Sequence, residues 1–312
     1  MMSTAVVFNS PRDLALRPLA LKRPEPEDVV VDVEWSGISA GTERLLWTGR
    51  MPAFPGMGYP LVPGYESVGR VREAGAASGR QEGETVFVPG ARCFPEARCL
   101  FGGTASRLVV AGARVTPVPA DLADRAPLLA LAATAHHAIV DGARPPELIV
   151  GHGALGRLLA RVTVASGAAP PVVWESDASR RDGALGYRVI DGSEDARHDY
   201  RCVCDVSGDP TLLDALIARL APRGEVVLAA FYAAPVSFLF PPAFMRGARL
   251  RVAAEWEPSD MAAVQALVAS GALSLDGIIT HRAPASAAAD AYATAFEDAA
   301  CVKMVLDWRE HG

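Results

Sequence analysis

The chain has 312 residues, of which 50% are hydrophobic and 21% are charged, and its formal net charge is −6 with a pI near 5.6. This length predicts two domains, and the composition is that of an ordinary globular protein. A negative charge without any cluster of Lys and Arg argues against a nucleic-acid groove, which requires clustered cations against phosphates. Five cysteines without paired spacing give no disulfide framework: Cys93, Cys99, Cys202, Cys204 and Cys301.

Short β-branched segments separated by Gly and Pro fill residues 1–117 and predict a β-rich first domain. The first residues, MMSTAVVFNSPRD, have no basic start and only a short apolar run, so we expect no secretory signal peptide. From about residue 121 strands and helices alternate, with helices predicted over 126–140, 179–187 and 210–224. This alternation predicts a parallel sheet covered on both faces.

Residues 226–245, VVLAAFYAAPVSFLFPPAFM, carry no charge over the length of a membrane span. Pro235, Pro241 and Pro242 lie within it, and proline breaks helices. We therefore expect a buried strand followed by an apolar loop, rather than a transmembrane span. After residue 257 we predict a helix over 259–273, and then a strand over 276–282, a helix and a final strand.

The segment LIVGHGALGRLLARV contains a glycine-rich turn, with Gly151, Gly153 and Gly156 spaced G-x-G-x-x-G between a strand and a helix. In such a turn the glycines permit tight backbone geometry, and the helix N-terminus offers N–H groups and a positive dipole to a pyrophosphate. The pattern predicts a dinucleotide site. The alternative is a glycine turn without a ligand, and His152 within it is expected to make local hydrogen bonds.

The next predicted strand, PVVWE, ends in Glu175, at the distance from Gly151 where an acidic residue holds the adenosine ribose. A carboxylate repels the 2′-phosphate of NADP, so NAD is the predicted cofactor. Arg180 and Arg181 follow closely and would accommodate that phosphate, which leaves NADP open.

Together these features resemble the medium-chain dehydrogenase/reductase family over nearly the whole chain. The resemblance implies an α/β fold: a GroES-like β-rich catalytic domain of residues 1–120 and 257–312, and a Rossmann doubly wound parallel-sheet domain of residues 121–256. Many members of the family carry a catalytic zinc. Its ligands lie in a G-I-C segment, in a P-G-H-E segment and on the helix before the nucleotide-binding fold.

The corresponding positions here hold Ser39, Tyr65 and Ala130. Zinc prefers thiolate, imidazole or carboxylate ligands, so this set is a poor one. The family's structural-zinc segment has four closely spaced cysteines, and only Cys93 and Cys99 remain. We predict that the protein binds no metal.

Without a metal ion, an alcohol dehydrogenase needs another group to accept the hydroxyl proton. Tyr65 is one candidate, with Glu66 tuning it, and the alternative is that both are structural. The resemblance places His137 one turn from the nicotinamide, and of the adjacent pair His136 and His137 at most one acts there. Thr42 and Glu43 follow Ser39 where relatives often carry polar residues that contact substrate or cofactor.

The resemblance also implies two further cofactor contacts. Thr134 is similar to a threonine that packs against the nicotinamide. Lys303 aligns with a basic residue that contacts the pyrophosphate, with a surface lysine as the alternative. The predicted cofactor-binding set is Gly151, Gly153, Leu155, Gly156, Glu175, Thr134 and Lys303.

The loop LLWTGRMPAFPGMGYPLVPGYE carries large apolar side chains among prolines and glycines. Such side chains favour a flat hydrophobic substrate over a sugar. The alternative is a loop packed on the core. The predicted substrate residues are Trp47, Met51, Phe54, Met57 and Tyr59.

This loop resembles the bacteriochlorophyll-pathway branch of the family. The resemblance implies NAD-dependent oxidation of the 3-(1-hydroxyethyl) group of a hydrophobic tetrapyrrole to 3-acetyl. Competing hypotheses are a zinc-free NADPH-dependent quinone or enoyl reductase, a zinc polyol or alcohol dehydrogenase, and a non-catalytic nucleotide-binding protein. We expect a cytoplasmic protein, with peripheral association with the photosynthetic membrane left open. Pairing as a homodimer through the sheet edge at residues 248–256 is also left open.

Overall fold

A computed structural model describes residues 1–142 and 144–311. The chain divides into two compact units, Met1–Ala130 with Ile279–Gly312, and Leu131–Ile278. These bounds differ from the expected ones mainly because residues 257–278 cluster with the second unit. The helix in that segment buries Met261 and Val264 and is tied by hydrogen bonds to another helix of the same unit.

The regular elements up to the glycine-rich turn are β1 (Met2–Ser10), β2 (Asp13–Ala20), β3 (Asp28–Ile38), α1 (Thr42–Thr48), β4 (Leu61–Val62), β5 (Ser67–Ala74), β6 (Thr85–Val88), β7 (Arg98–Cys99), β8 (Arg107–Ala111), β9 (Thr116–Pro117), α2 (Leu129–Val140) and β10 (Leu148–Val150). The remaining elements are α3 (Ala154–Ala165), β11 (Val172–Trp174), β12 (Arg188–Ile190), β13 (Tyr200–Asp205), α4 (Leu213–Ala218), β14 (Leu220–Leu228), α5 (Phe240–Arg246), β15 (Arg249–Val252), α6 (Pro258–Ala269), β16 (His281–Pro284), α7 (Ala288–Glu297) and β17 (Met304–Asp307).

Two sheets build the first unit. One has the order β2-β1-β4-β7, and the other has the order β16-β17-β3-β5-β6-β9, with β8 also paired to β3. Strand β3 is central because it pairs antiparallel with β5, β8 and β17. Its residues Val29, Val30 and Val31 are fully buried, as expected of β-branched side chains in a core strand. The predicted β-rich domain is confirmed.

A parallel sheet with the order β12-β11-β10-β13-β14-β15 forms the middle of the second unit. The chain moves from β10 to β11 on one side, and β13 lies on the other side of β10. Ligands of such sheets bind where the strand order reverses, beyond the carboxyl ends of the strands. The predicted doubly wound fold is confirmed, and its reversal point lies directly before Gly151.

Several predicted elements differ from the observed ones. The helix predicted over 126–140 is an α-helix only from Leu129, because its first residues belong to a 3₁₀ segment, Ala120–Leu128. Residues 179–187 form only a 3₁₀ turn and a loop, because Gly183 and Gly186 adopt positive φ angles. The second half of the helix predicted over 210–224 is instead the start of β14, and the strand predicted over 276–282 begins only at His281.

The uncharged segment at residues 226–245 contains the end of β14, an irregular loop and most of α5. Among the described residues, every helix is too short or too polar to cross a membrane. Helix α5 exposes Phe240, Phe244 and Met245, which are 66%, 69% and 80% exposed.

Candidate active site

The glycine-rich turn follows β10 at the centre of the parallel sheet. Gly151 has a φ of 106°, a conformation that favours glycine. A Cβ on Gly156 would lie 1.9 Å from the carbonyl oxygen of Gly151, so only glycine lets α3 start so close to the strand. Gly153 is different, since the nearest atom to a Cβ there is 3.8 Å away. The open side of the turn therefore lies at Gly153, where the N–H groups of α3 begin, with Leu155 partly buried in its first turn.

Glu175 lies directly after β11, beside this turn. Its Oε2 accepts the backbone N–H of His152 at 3.0 Å, and its Oε1 accepts the N–H of Asp177 at 3.0 Å. These two bonds fix the carboxylate against the glycine-rich turn. Glu175 therefore lies against the glycine-rich turn, and its contact with a ribose stays a prediction.

The imidazole of His152 is fully buried and supports the turn from within. Its Nδ1 lies 2.7 Å from the carbonyl oxygen of Arg180, and its Nε2 lies 2.9 Å from the hydroxyl of Tyr187. Burial lowers the pKa of His152 to about 4. The ring is therefore neutral at pH 7: Nδ1–H donates to the carbonyl, and Nε2 accepts from the tyrosine.

The two arginines after β11 have different positions. Arg181 donates from Nε to the carbonyl of Glu175 at 2.8 Å and from Nη2 to Asp191 at 2.5 Å. Arg180 lies toward the turn, since its Nη2 is the atom 3.8 Å from a Cβ on Gly153. Of the two, Arg180 is therefore the one next to the open side of the turn.

Helix α2 carries Thr134, His136 and His137, all partly buried. His136 and His137 both direct Nδ1 to the carboxylate of Asp260, at 2.7 Å and 2.9 Å. Burial opposes the charge on Asp260, but the N–H of Glu257 and the two histidines outweigh it and lower the pKa of Asp260. With Nδ1 of each ring engaged by this carboxylate, Nε2 is the ring atom left for another contact.

Three hydroxyl groups meet in the first unit, and we call Ser39, Thr42 and Tyr65 the hydroxyl cluster. Ser39 follows β3, Thr42 begins α1, and Tyr65 lies between β4 and β5. The Tyr65 hydroxyl donates to Ser39 Oγ at 2.7 Å and also forms a hydrogen bond with the side chain of Thr42. The structure thus brings two predicted catalytic residues, Thr42 and Tyr65, into direct contact, and Tyr65 also bonds Ser39, which lies at one of the family's metal positions.

The phenol of Tyr65 is held in its protonated form. Burial and the neighbouring Glu66 carboxylate raise the pKa of Tyr65 well above its ordinary value. Its ring packs edge-on against Phe101, with centroids 5.3 Å apart. At neutral pH Tyr65 is therefore a hydrogen-bond donor in a fixed orientation, and a preformed tyrosinate base is excluded.

Glu66 and Lys303 form a buried ion pair in the same unit, with the two residues 0% and 3% exposed. Burial raises the pKa of Glu66, and the Lys303 ammonium acts in the opposite direction. A Cβ on Gly37 would lie 2.2 Å from Glu66 Oε2, so Gly37 leaves room for this carboxylate. Lys303, expected to contact the cofactor pyrophosphate or to lie on the surface, instead has its ammonium against Glu66.

Glu43, which the resemblance singles out together with Thr42 as a contact to substrate or cofactor, is a second buried carboxylate. The Tyr292 hydroxyl donates to its Oε2 at 2.6 Å, and the N–H of Ser39 donates to its Oε1 at 3.1 Å. Burial raises the pKa of Glu43 to about 7, although both hydrogen bonds act against this. Glu43 and Tyr292 are 249 residues apart, so no local pattern connects them. The sequence places Glu43 in the first helix, TERLLWT, but gives no sign of Tyr292 as its partner.

The predicted substrate residues are dispersed. Met51 is buried in the core, and Trp47 packs on Phe296 with centroids 5.5 Å apart. These two placements match the alternative of a loop packed on the core. Met57 and Tyr59 are partly buried, the Tyr59 hydroxyl donates to the carbonyl of Leu46, and Phe54 is exposed.

The family's metal positions hold a hydrogen-bonded Ser39–Tyr65 pair and the buried Ala130. Across residues 1–142 and 144–311, no group of three or more His, Cys, Asp or Glu side chains is arranged to hold a metal ion. The described donor set therefore does not fit zinc.

Residues 25–120 match the model of the alcohol dehydrogenase GroES-like domain. Two relatives named 2-desacetyl-2-hydroxyethyl bacteriochlorophyllide A dehydrogenase are similar over 99% of both chains: that of Cereibacter sphaeroides is 56% identical, and that of Rhodobacter capsulatus is 54% identical. Among solved structures, 2R,3R-butanediol dehydrogenase from Bacillus subtilis matches with a TM-score of 0.83 and 19% identity, over 98% of this chain and 99% of that one, and shows the shared fold.

Such identity over nearly the full length exceeds what a shared fold alone produces, and the matched domain agrees with the β-rich unit. A dehydrogenase of this kind acts on a CH–OH group with a nicotinamide cofactor. The chain therefore belongs to the medium-chain dehydrogenase/reductase family, in the same group as these two relatives.

Proposed function

We propose that the protein oxidises the 3-(1-hydroxyethyl) group of a bacteriochlorophyllide to the 3-acetyl group, with NAD as hydride acceptor and without catalytic zinc. The observation that carries this proposal is the 56% and 54% identity, over nearly the full length, to two dehydrogenases named for that substrate. Solved structures with the same fold are named as dehydrogenases of different alcohols, so the fold by itself does not select the substrate.

The second unit would hold the dinucleotide. The turn from Gly151 to Gly156, with Leu155, offers α3 N–H groups to the pyrophosphate, and Gly153 leaves the approach open. Glu175 would accept the ribose hydroxyls, and its charge disfavours a 2′-phosphate. Arg180 opposes that preference, because its guanidinium lies beside Gly153. We assign Thr134 to the nicotinamide side, as the family resemblance implies.

The first unit would manage the substrate proton through the hydroxyl cluster. Tyr65 stays protonated and donates to Ser39, so Ser39 Oγ is oriented and its own O–H remains free to exchange with the substrate hydroxyl. As hydride leaves the carbinol carbon, Ser39 Oγ accepts the hydroxyl proton and passes its own proton on to solvent water, because neutral hydroxyl groups relay a proton and do not retain it. We assign Thr42 to the same cluster, and Glu66, neutralised by Lys303, to the support of Tyr65.

His137 is the second candidate for the proton acceptor. Its Nδ1 is engaged by Asp260, which orients the ring and leaves Nε2 basic. A histidine acceptor would give a His137→Asn variant with little activity. If the hydroxyl cluster accepts the proton, variants of Ser39 and Tyr65 should lose activity instead.

The substrate would be recognised by apolar side chains of the loop before Tyr65, chiefly the exposed Phe54 and the partly buried Met57 and Tyr59. Rings and thioethers suit the flat face of a tetrapyrrole. Trp47 and Met51 pack against the hydrophobic core of the first unit and would support this loop.

The direct test is incubation of the purified protein with NAD and a 3-(1-hydroxyethyl) bacteriochlorophyllide, followed by absorbance and product mass. Metal analysis and a chelator control accompany it. Activity with NADPH on quinones or enones would favour the reductase hypothesis. NAD binding without turnover of the pigment would favour a non-catalytic protein.

Pairing of two copies through β15 is part of the same proposal. Strand β15 is the edge of the parallel sheet, and Leu250 and Val252 on it are exposed near the apolar side chains of α5. Unpaired edges and apolar patches are covered in stable assemblies. A Val252→Glu, Met245→Glu double variant should sediment as a monomer and the Leu185→Glu control as a dimer. A monomeric wild type would contradict pairing.

Binding to a photosynthetic membrane is tested by flotation with vesicles.

A further inference from the structure

Glu43 is buried beside the hydroxyl cluster, and no step of the proposed reaction uses it directly. It is 1% exposed, in the first turn of α1. Its two oxygens have separate partners, since Oε1 accepts the N–H of Ser39 and Oε2 accepts the hydroxyl of Tyr292. Burying a carboxyl group costs free energy that only such bonds offset, so its placement there requires a reason.

Tyr292 gives Glu43 a rigid support from α7. Its ring packs edge-on against Phe8 at 5.5 Å and against Phe296 at 5.5 Å, which fixes the direction of its hydroxyl. A continuous series of contacts therefore runs from α7 through Glu43 to the backbone of Ser39, and from Ser39 Oγ to the Tyr65 hydroxyl.

We propose that Glu43 is a positioning residue for the hydroxyl cluster: held by Tyr292, its carboxylate fixes Ser39 so that Ser39 Oγ meets the Tyr65 hydroxyl. The proposal rests on the proposed function, because it takes the hydroxyl cluster as the acid–base centre. Hydrogen bonds to an ionised acceptor are stronger than those to a neutral one. Ser39 is therefore held most firmly when Glu43 is charged.

This arrangement makes the activity depend on pH. Burial raises the pKa of Glu43 to about 7; Tyr292, Ser39 and Lys303 act to lower it, and Glu66 acts to raise it. Tyr65 is the remaining titratable neighbour, and it stays protonated. Below this pKa one oxygen of Glu43 carries a proton and can no longer accept as before, so kcat falls as the pH falls through neutrality.

The test measures kcat against pH for the wild type and for Glu43→Gln, Glu43→Ala and Tyr292→Phe. Glu43→Gln cannot ionise but keeps an acceptor for Ser39, so the inflection should vanish while kcat falls less than about tenfold. Glu43→Ala removes the acceptor, and kcat should fall about ten- to a hundredfold. Since the Tyr292 hydroxyl lowers the pKa of Glu43, Tyr292→Phe should move the inflection to higher pH. The KM for NAD should remain within about twofold in all three.

Tyr200→Phe is a matched control, because Tyr200 donates to a carboxylate, Asp195, at 2.6 Å in the other unit. It should leave the inflection in place. An inflection unchanged in both Glu43→Gln and Tyr292→Phe would overturn the positioning role alone. A wild type that oxidises no hydroxyethyl pigment would overturn the proposed function, and this inference with it.

Discussion

At the residue scale, the phenol of Tyr65 meets two hydroxyl groups from different elements, and its surroundings keep it protonated. Tyr65→Phe retains the ring contact with Phe101 and removes only the hydroxyl. We expect kcat for the pigment to fall at least about tenfold with little change in the KM for NAD, because transition-state interactions are lost and cofactor binding is not. Steady-state kinetics measure this. A kcat equal to that of the wild type would remove Tyr65 from the proton pathway.

The buried pair of Glu66 and Lys303 gives a prediction about stability. Lys303→Met leaves the Glu66 carboxyl buried without its cation, which costs about 3–5 kcal/mol of unfolding free energy when one partner of a buried pair is removed. The double variant Lys303→Met, Glu66→Gln removes both charges and should recover much of that loss. Urea denaturation of both proteins measures the difference. Equal stability of the single variant and the wild type would mean that the pair is not formed.

Glu43 gives a pH dependence of stability that needs no substrate. Its pKa is raised from 4.5 to about 7 in the folded chain, so its stabilising contribution is present below pH 4.5 and is lost as the pH rises through about 7. Glu43→Gln lacks this loss, so above neutral pH it should be more stable than the wild type by roughly 1–3 kcal/mol. At pH near 4.5 the two should be similar. Denaturant unfolding at several pH values checks this, and a stability difference that is independent of pH would contradict it.

At the element scale, the strand–turn–helix from β10 to α3 separates two kinds of glycine. A Cβ on Gly153 meets its nearest atom at 3.8 Å, whereas a Cβ on Gly156 would clash with the Gly151 carbonyl at 1.9 Å. We expect Gly153→Ala to fold like the wild type and to bind NAD at least about tenfold more weakly, because the side chain blocks only the ligand. Gly156→Ala should lose both NAD affinity and folding stability. Titration calorimetry measures the affinity, and thermal unfolding measures the stability.

An unaltered NAD affinity in Gly153→Ala would place the cofactor elsewhere. The control is Gly41→Ala, because a Cβ at Gly41 enters open space and the φ of Gly41 is negative. A glycine with a positive φ, such as Gly167, would not serve, because a side chain there strains the backbone.

Elements with a strong local pattern were predictable from the sequence. The G-x-G-x-x-G spacing after an apolar strand located the turn, and the β-branched segments located most strands of the first unit. The segment at residues 179–187 was misassigned as a helix because its two glycines favour positive φ over helix. Pairs such as Glu43 with Tyr292 and Glu66 with Lys303 escaped because their partners lie far apart in the chain.

At the scale of the whole molecule, each unit contributes a separate part of the proposed reaction. The parallel sheet of the second unit ends at a turn suited to a dinucleotide, and the β-rich first unit holds the hydroxyl cluster beside the two buried carboxylates Glu43 and Glu66. Family membership fixes the reaction class, and Ser39 and Tyr65, which lie at positions that resemble the family's metal-ligand positions, form a hydrogen-bonded pair. The molecule thus has the family's architecture, and we propose the hydroxyl cluster as its acid–base centre.

The most direct measurement is turnover of a 3-(1-hydroxyethyl) bacteriochlorophyllide by the purified, chelator-treated protein with NAD or NADP. We expect the absorbance change and the loss of two hydrogens that mark acetyl formation, with NAD preferred and no stoichiometric zinc by elemental analysis. Absence of turnover with either cofactor, or activity that disappears with removal of tightly bound zinc and returns on its addition, would contradict a metal-free pigment dehydrogenase.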